Sequence, residues 1–195
     1  MFLLRKPDAT QIEDFLQAQS ALEVAYPGVG TTRNTDHPAG FTIDQNQICL
    51  GSGRQTFEAA KQALQLWQHY RFSWIELHRP EAPPDSGQTV ATVARALGLW
   101  VLNACRIVYV VEETEPLRRY TYAYGTLPEH AESGEERFQV TWKEDDSVWY
   151  EIFAFSRPNQ LLARLGYPYV RHKQKQFARE SMQSMKDALS GTAPE

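Results

Sequence analysis

From Ser73 onward the chain changes its hydrophobic period, and that change limits the possible folds more than any other feature. Upstream, apolar residues recur at helical spacing. From residue 73 to residue 155 they alternate, as strands with one buried face require. Segments 73–79, 88–94, 98–103, 105–112, 118–126, 136–143 and 147–155 read as strands. Pro80, Pro83, Pro84 and Gly87 mark one connection, Glu115-Pro116 another, and Glu144-Asp145-Asp146 a tight turn. Connections this short join antiparallel neighbours, so the region reads as a meander.

Ahead of it the order is helix, long connection, strand, helix. Residues 10–22 carry Ile12, Phe15, Leu16 and Leu22 at helical spacing, with Gln19 as the one polar interruption. Thr10 and Glu13 fit a capping box, in which each side chain satisfies an orphan amide. Pro27, Gly28, Gly30, Asn34, Asp36, Pro38 and Gly40 then break regular structure over a connection long enough to be functional or packed on the surface. Residues 41–50 read as a strand that Gly51-Ser52-Gly53 ends. Residues 54–70 read as a helix with Phe57, Ala60, Leu64 and Trp67 on its apolar face and Ser52 with Gln55 as its cap. Beyond the strands, residues 158–188 are helical again; Pro158 is tolerated in a first turn, and Gly166 and Pro168 kink or split the segment. Leu161, Leu162, Leu165, Tyr169, Phe177, Met182, Met185 and Leu189 form its expected buried stripe, and the tail from Ser190 is expected to fray.

A chain of 195 residues, 42% hydrophobic and 23% charged, buries a sizeable core and is not disordered. A net charge of -4 argues against a nucleic-acid partner. Only four apolar residues precede Arg5, too few for a signal-peptide core. No stretch approaches the roughly 18 apolar residues of a spanning helix. Cys49 and Cys105 stand apart in apolar contexts and make neither a disulfide framework nor a zinc site. The expectation is a cytoplasmic protein with both thiols buried and no metal or cofactor.

Strand parity assigns side chains to faces. Tyr120, Tyr122 and Tyr124 share one; Phe138, Val140 and Trp142 share one; Trp149, Phe153 and Phe155 share one with Glu151; Arg106 shares one with Val108 and Val110. A concave sheet lined by Tyr120, Tyr122, Tyr124, Trp142 and Trp149 suits a flat or elongated apolar ligand. The plainer reading is that these aromatics fill a core. Arg106 and Glu151 stand in otherwise apolar faces, where each needs a partner. They pair with each other, or they hold a ligand's polar end.

His130 is the candidate acid or base, because its titration range suits proton transfer near neutrality. Glu132, Glu135 and Glu136 are close to it in sequence, although adjacent Glu135 and Glu136 point to opposite faces of a strand. The run EHAESGEE lacks the ligand spacing of a zinc site, and a solvated loop is the plainer reading. His69 falls off the apolar face of its helix and reads as exposed. Gly28-Val29-Gly30 neither follows a strand nor opens a helix, so it is no phosphate loop. There is no G-x-S-x-G elbow, and Cys105 lacks an activating base.

Charge is uneven. Residues 112–151 hold 11 of the 24 carboxylates, whereas 152–178 hold none. Arg164, Arg171, Lys175 and Arg179 share one face if the last helix is unbroken. Such a face suits an anionic membrane surface, or is simply solvated.

Several short motifs occur in order between about Leu3 and Leu189. They are Tyr26-Pro27 with Val29-Gly30, the helix from Phe57 through Trp67, Leu97-Gly98-Leu99-Trp100, and Cys105 to Val111. Tyr124-Gly125-Thr126-Leu127-Pro128 with His130, Gly134-Glu135-Glu136 with Phe138, and Phe155-Ser156-Arg157-Pro158 complete the set. Together they resemble the DUF1990 family, also called UPF0548. The resemblance carries no catalytic residues with it. Element order, and a kinship expected for that family, imply an α+β helix-grip fold of the START and Bet v 1 (SRPBCC) type. In that fold a curved antiparallel sheet of about seven strands wraps a long C-terminal helix, over one domain at 1–189. An α+β sandwich with a filled core is the alternative.

Three functional expectations follow. The first is a small hydrophobic or amphipathic ligand held between sheet and helix, with Arg106 and Glu151 orienting its polar group. The second is an enzyme using His130 with Glu135 or Glu136. The third is a peripheral membrane or protein-interaction module using the basic helix.

Overall fold

The structure, a computed structural model, describes residues 1–78, 83–115 and 117–191. Pro80, Pro116 and the tail beyond Gly191, which figure in the expected turns and fraying, lie outside the described residues. The elements are β1 (Phe2–Leu3), α1 (Ala9–Ser20), β2 (Thr42–Ser52), α2 (Gly53–Gln65), β3 (Ile75–His78) and β4 (Thr89–Ala96). They continue with β5 (Leu99–Glu113), β6 (Arg118–Thr126), β7 (Glu132–Trp142), β8 (Ser147–Pro158), α3 (Leu161–Leu165) and α4 (Tyr167–Ser190). The strands form one antiparallel sheet in the order β2-β8-β7-β6-β5-β4-β3, with β1 on β5. From β3 to β8 each strand pairs with the next, so the meander expected from the period is what forms. The closing pair is non-local: β2 lies beside β8, with Thr42 opposite Ser156.

The sheet curves around α4, which packs with α2 across its concave face. This is the helix-grip arrangement. The concave core holds Phe57, Leu64, Trp67, Tyr122, Phe138, Val140, Tyr150 and Met185. A second core lies on the other face, where Ile12, Phe15 and Leu16 of α1 meet Ala91, Val93, Leu102 and Ala104. Gln19, the polar interruption of that helix, is buried, and its amide oxygen accepts the Glu129 N–H at 3.3 Å.

Several local expectations need correction. The capping box of α1 is Asp8 with Gln11, not Thr10 with Glu13. Ser52 precedes α2 without a side-chain cap. Leu22 lies past the end of α1 and is exposed, as is Cys49, whereas Cys105 is buried. α2 ends at Gln65, and Trp67 takes a left-handed φ of 58°, which a bulky residue adopts only when its surroundings impose it. That turn sends both Trp67 and His69 inward, so His69 is fully buried rather than exposed.

Segments 98–103 and 105–112 are one strand, β5. The pairing of β5 with β6 slips between Ile107 and Tyr109, which marks a β-bulge. One extra residue reverses the parity beyond it, so Val110 packs on the concave core while Arg106 reaches Ser20 of α1 on the other face. The expected face shared by Arg106 and Val110 therefore does not exist. The last helix splits at Gly166, with Pro168 in the first turn of α4. The split turns Leu161, Leu162 and Leu165 out of the buried stripe: they are 69%, 49% and 75% exposed.

Candidate functional site

Between the concave face and the helices α3 and α4 lies a cavity of about 840 Å³. Val90, Val101, Cys105, Ile152, Phe177 and Ala178 give it an apolar floor and roof. It opens past the β4–β5 turn and α3, where its lining residues Leu97, Leu162 and Leu165 are exposed.

Glu132, Glu136 and the Tyr124 hydroxyl cluster on the β6–β7–β8 side, while Thr92 of β4 and Asn103 of β5 add polar groups elsewhere. β7 starts at Glu132, four residues before the expected start, and the alternation that turns Phe138 and Val140 inward also turns Glu136 and Glu132 inward. Tyr70 donates to the Tyr124 hydroxyl at 2.9 Å, and Tyr124 donates to Oε2 of Glu136. Burial pushes the Glu136 carboxyl up to about 7, against the opposing pull of the Tyr124 bond. Glu132 accepts from Gln174 of α4 and from Ser156 of β8, the latter at 3.4 Å. Burial raises its carboxyl to about 7 as well. At the rim Arg171 of α4 makes a bidentate pair with Asp44 of β2, at 2.5 and 2.7 Å. This tie fastens the helix to the edge strand.

His130 lines the cavity rather than standing in solvent. Its Nδ1 accepts the Glu132 N–H at 3.0 Å, and burial lowers the ring to about 3, so it is neutral near pH 7. Asn159 holds its loop through the carbonyls of Pro128 and His130. Glu135 faces the opposite side of the sheet, as adjacency to Glu136 requires. There it accepts from Tyr26 and the Gly30 N–H, both at 2.7 Å, and from Thr32, and so pins the long N-terminal connection. No glutamate side chain orients His130 among the described residues.

Of the residues expected to line a ligand site, Tyr124 reaches the cavity. Tyr122 is sealed in the core against His69, 2.6 Å away. Tyr120 and Trp142 pack at the far end near α2, Trp142 against Phe57. Arg106 and Glu151 do not meet: Arg106 bonds the Ser20 carbonyl, and Glu151 pairs with Arg137 on the convex face. Trp149 shares that face, with Lys143 4.4 Å above its ring. Parity alone could not choose between the faces, because each strand has two and only the packing of the helices says which is concave. Tyr70 and Gln174 are cavity groups that the sequence did not single out, and Glu132 stood out there only as a neighbour of His130. The signal for Glu132 and Glu136 was present: they continue the apolar stripe of Phe138 and Val140 backwards by two-residue steps.

The geometry defines an α+β protein of helix-grip architecture with a large cavity and an acidic, tyrosine-bonded wall. Residues 25–184 match the domain of unknown function DUF1990, and the chain belongs to that family. It is 31% identical to a UPF0548 protein of Dictyostelium discoideum over 97% of this chain and 96% of that one. A UPF0548 protein of Arabidopsis thaliana is 36% identical over 75% of this chain and 72% of its own length. A solved structure from Thermus thermophilus superposes with a TM-score of 0.51 at 9% identity, covering 78% of this chain and all of that one, a likeness of fold alone. No helix among the described residues is long and apolar enough to cross a membrane.

Proposed function

We propose that this chain binds a small hydrophobic or amphipathic molecule in the cavity between the sheet and α4. The cavity carries the reading. Its volume of about 840 Å³ falls within the range of small-molecule sites, and its wall is largely apolar with a cluster of polar groups around Glu132 and Glu136. A free exposed Cys49 and a free buried Cys105 fit a reducing compartment, and the cytoplasm is the setting proposed.

The catalytic alternative rests on weaker ground. With His130 neutral and Glu135 on the other face, Glu136 beside Tyr124 is the acid–base group the geometry best supports. The membrane alternative loses part of its basic stripe: Arg164 belongs to α3, and Arg171 is committed to Asp44.

A neutral polarity-sensitive dye tests the binding reading. Wild-type protein is expected to bind it, and Ala154→Trp, which fills the cavity from β8, to abolish binding while the circular dichroism is retained. Equal binding by wild type and the filled variant would exclude the cavity as the site.

A further inference from the structure

We propose that the ligand's polar end is a cation, the ammonium group of an amphipathic amine, held by Glu136 with Glu132 beside it. The proposal deepens the cavity-binding reading and rests on it.

Alternate positions of β7 bring Glu132 and Glu136 to the cavity, and Gly134 between them adds no side chain. Every protein group bonded to these carboxyls is a neutral donor: Tyr124 for Glu136, Gln174 and Ser156 for Glu132. Neither makes an ion pair among the described residues. Of the other charged residues lining the cavity, Arg95 and Lys175 are exposed to solvent. Asp44 is matched by Arg171. Lys173 donates to Gln176 at 2.9 Å and lies 4.3 Å from the Trp74 ring. The cavity therefore holds two carboxyls without a protein counter-ion among the described residues.

Glu136 also has an unused acceptor. Tyr124 bonds Oε2, and no described group bonds Oε1. Glu136 lines the cavity and is half-buried rather than sealed. An ammonium donates three hydrogen bonds and accepts none, which suits one free oxygen on Glu136 and the neighbouring Glu132. Tyr70, Tyr124 and Phe177 also line the cavity, and aromatic rings suit a cation better than an anion. The apolar tail would run toward Val101, Leu97 and the open mouth. A carboxylate ligand would meet like charge here, and an alcohol would gain a hydrogen bond but no ion pair.

Ionisation of the site sets a pH signature. The groups facing Glu136 are Tyr124 on β6, Cys105 on β5, Tyr70 after α2, Tyr150 on β8, Glu132 on its own strand and Asp44 on β2. From α4 come Arg171, Lys173 and Lys175, from β4 Arg95, and from the loop before β7 His130, which burial keeps neutral. Burial keeps the tyrosines and Cys105 protonated at neutral pH, so the two glutamates are the groups that titrate there. An ammonium stays charged across this range. Its affinity should rise about tenfold between about pH 6 and pH 8, with protons released on binding.

Decylamine, decanol and decanoate, matched in chain length, test the assignment by isothermal titration against the full chain at both pH values. Decylamine is expected to bind at least tenfold more tightly than decanol at the higher pH. Glu136→Gln is expected to remove about tenfold of that affinity and to leave decanol within about twofold. A decylamine affinity flat in pH, or decanoate binding as tightly as decylamine, overturns the cation assignment even if the variant fails to fold. Failure of all three ligands together with the dye overturns the cavity-binding reading itself.

Discussion

A methyl group added at Gly134 would fall 2.0 Å from the carbonyl oxygen of Phe155 on β8, backbone that cannot step aside without breaking the ladder. Gly134→Ala is expected to cost about 2–4 kcal/mol in denaturant unfolding, as overpacking of a closed site does. At Gly125 the obstacle is the Tyr26 hydroxyl, also 2.0 Å away, so alanine there should break the Tyr26–Glu135 bond and loosen the N-terminal connection. His69 and Tyr122 form a sealed pair, and Nδ1 of His69 has no partner among the described residues. His69→Phe is expected to cost about 1–3 kcal/mol by orphaning the Tyr122 hydroxyl, and adding Tyr122→Phe should recover much of the loss. A cycle with independent, additive losses would show that the pair is not coupled. At this scale the sequence was only half legible. Tyr26, Gly125 and Glu135 were visible as separate motif fragments. Their meeting depends on register across the sheet, which no local pattern records. Arg106 and Glu151 were recognised as misplaced charges, but each found a different partner, because charge in a strand shows need and not direction.

Elements were more legible than contacts, because period and turn chemistry are local properties. The meander, the apolar face of α2 and the split at Gly166 follow from spacing, glycine and proline. The bulge in β5 does not. Nothing in Ile107-Val108-Tyr109 distinguishes a regular strand from one carrying an extra residue, and that residue decides which face Arg106 takes. The clamp between Asp44 and Arg171 joins β2 to α4, and both side chains are partly buried. Asp44→Asn is expected to lower stability by about 1 kcal/mol, and a double-mutant cycle with Arg171→Gln should assign that loss to the pair. Additive single losses would mean that α4 is held by apolar packing alone.

The whole molecule carries opposing pH terms. Burial raises Glu132 and Glu136 from 4.5 to about 7, so their contribution is complete below pH 4.5 and lost as pH rises through 7. Burial lowers His69 and His130 from 6.5 to about 3, so theirs is complete above pH 6.5 and lost as pH falls toward 3. Two groups of each kind nearly cancel between pH 4.5 and 6.5, and stability should form a plateau there. Glu136→Gln should become progressively more stable than wild type between about pH 5 and pH 8, by on the order of 2 kcal/mol. A pH-independent difference would mean that Glu136 ionises normally in the fold. Fold class was legible at this scale because element order constrains topology. The cavity was not, because whether aromatics fill a core or line a space depends on how far α4 stands from the sheet.

The pairing of β2 with β8 also orders events while the chain is being made. The meander can close hairpin by hairpin as each strand leaves the ribosome, since each pairs with the next. β2, synthesised early, has its strand partner only once β8 has emerged, and its clamp spans 127 residues. An edge of the nascent sheet therefore waits unpaired through most of translation. The polar run Asp44-Gln45-Asn46-Gln47, with Gln45 and Gln47 exposed even in the finished strand, is what must keep that waiting segment soluble.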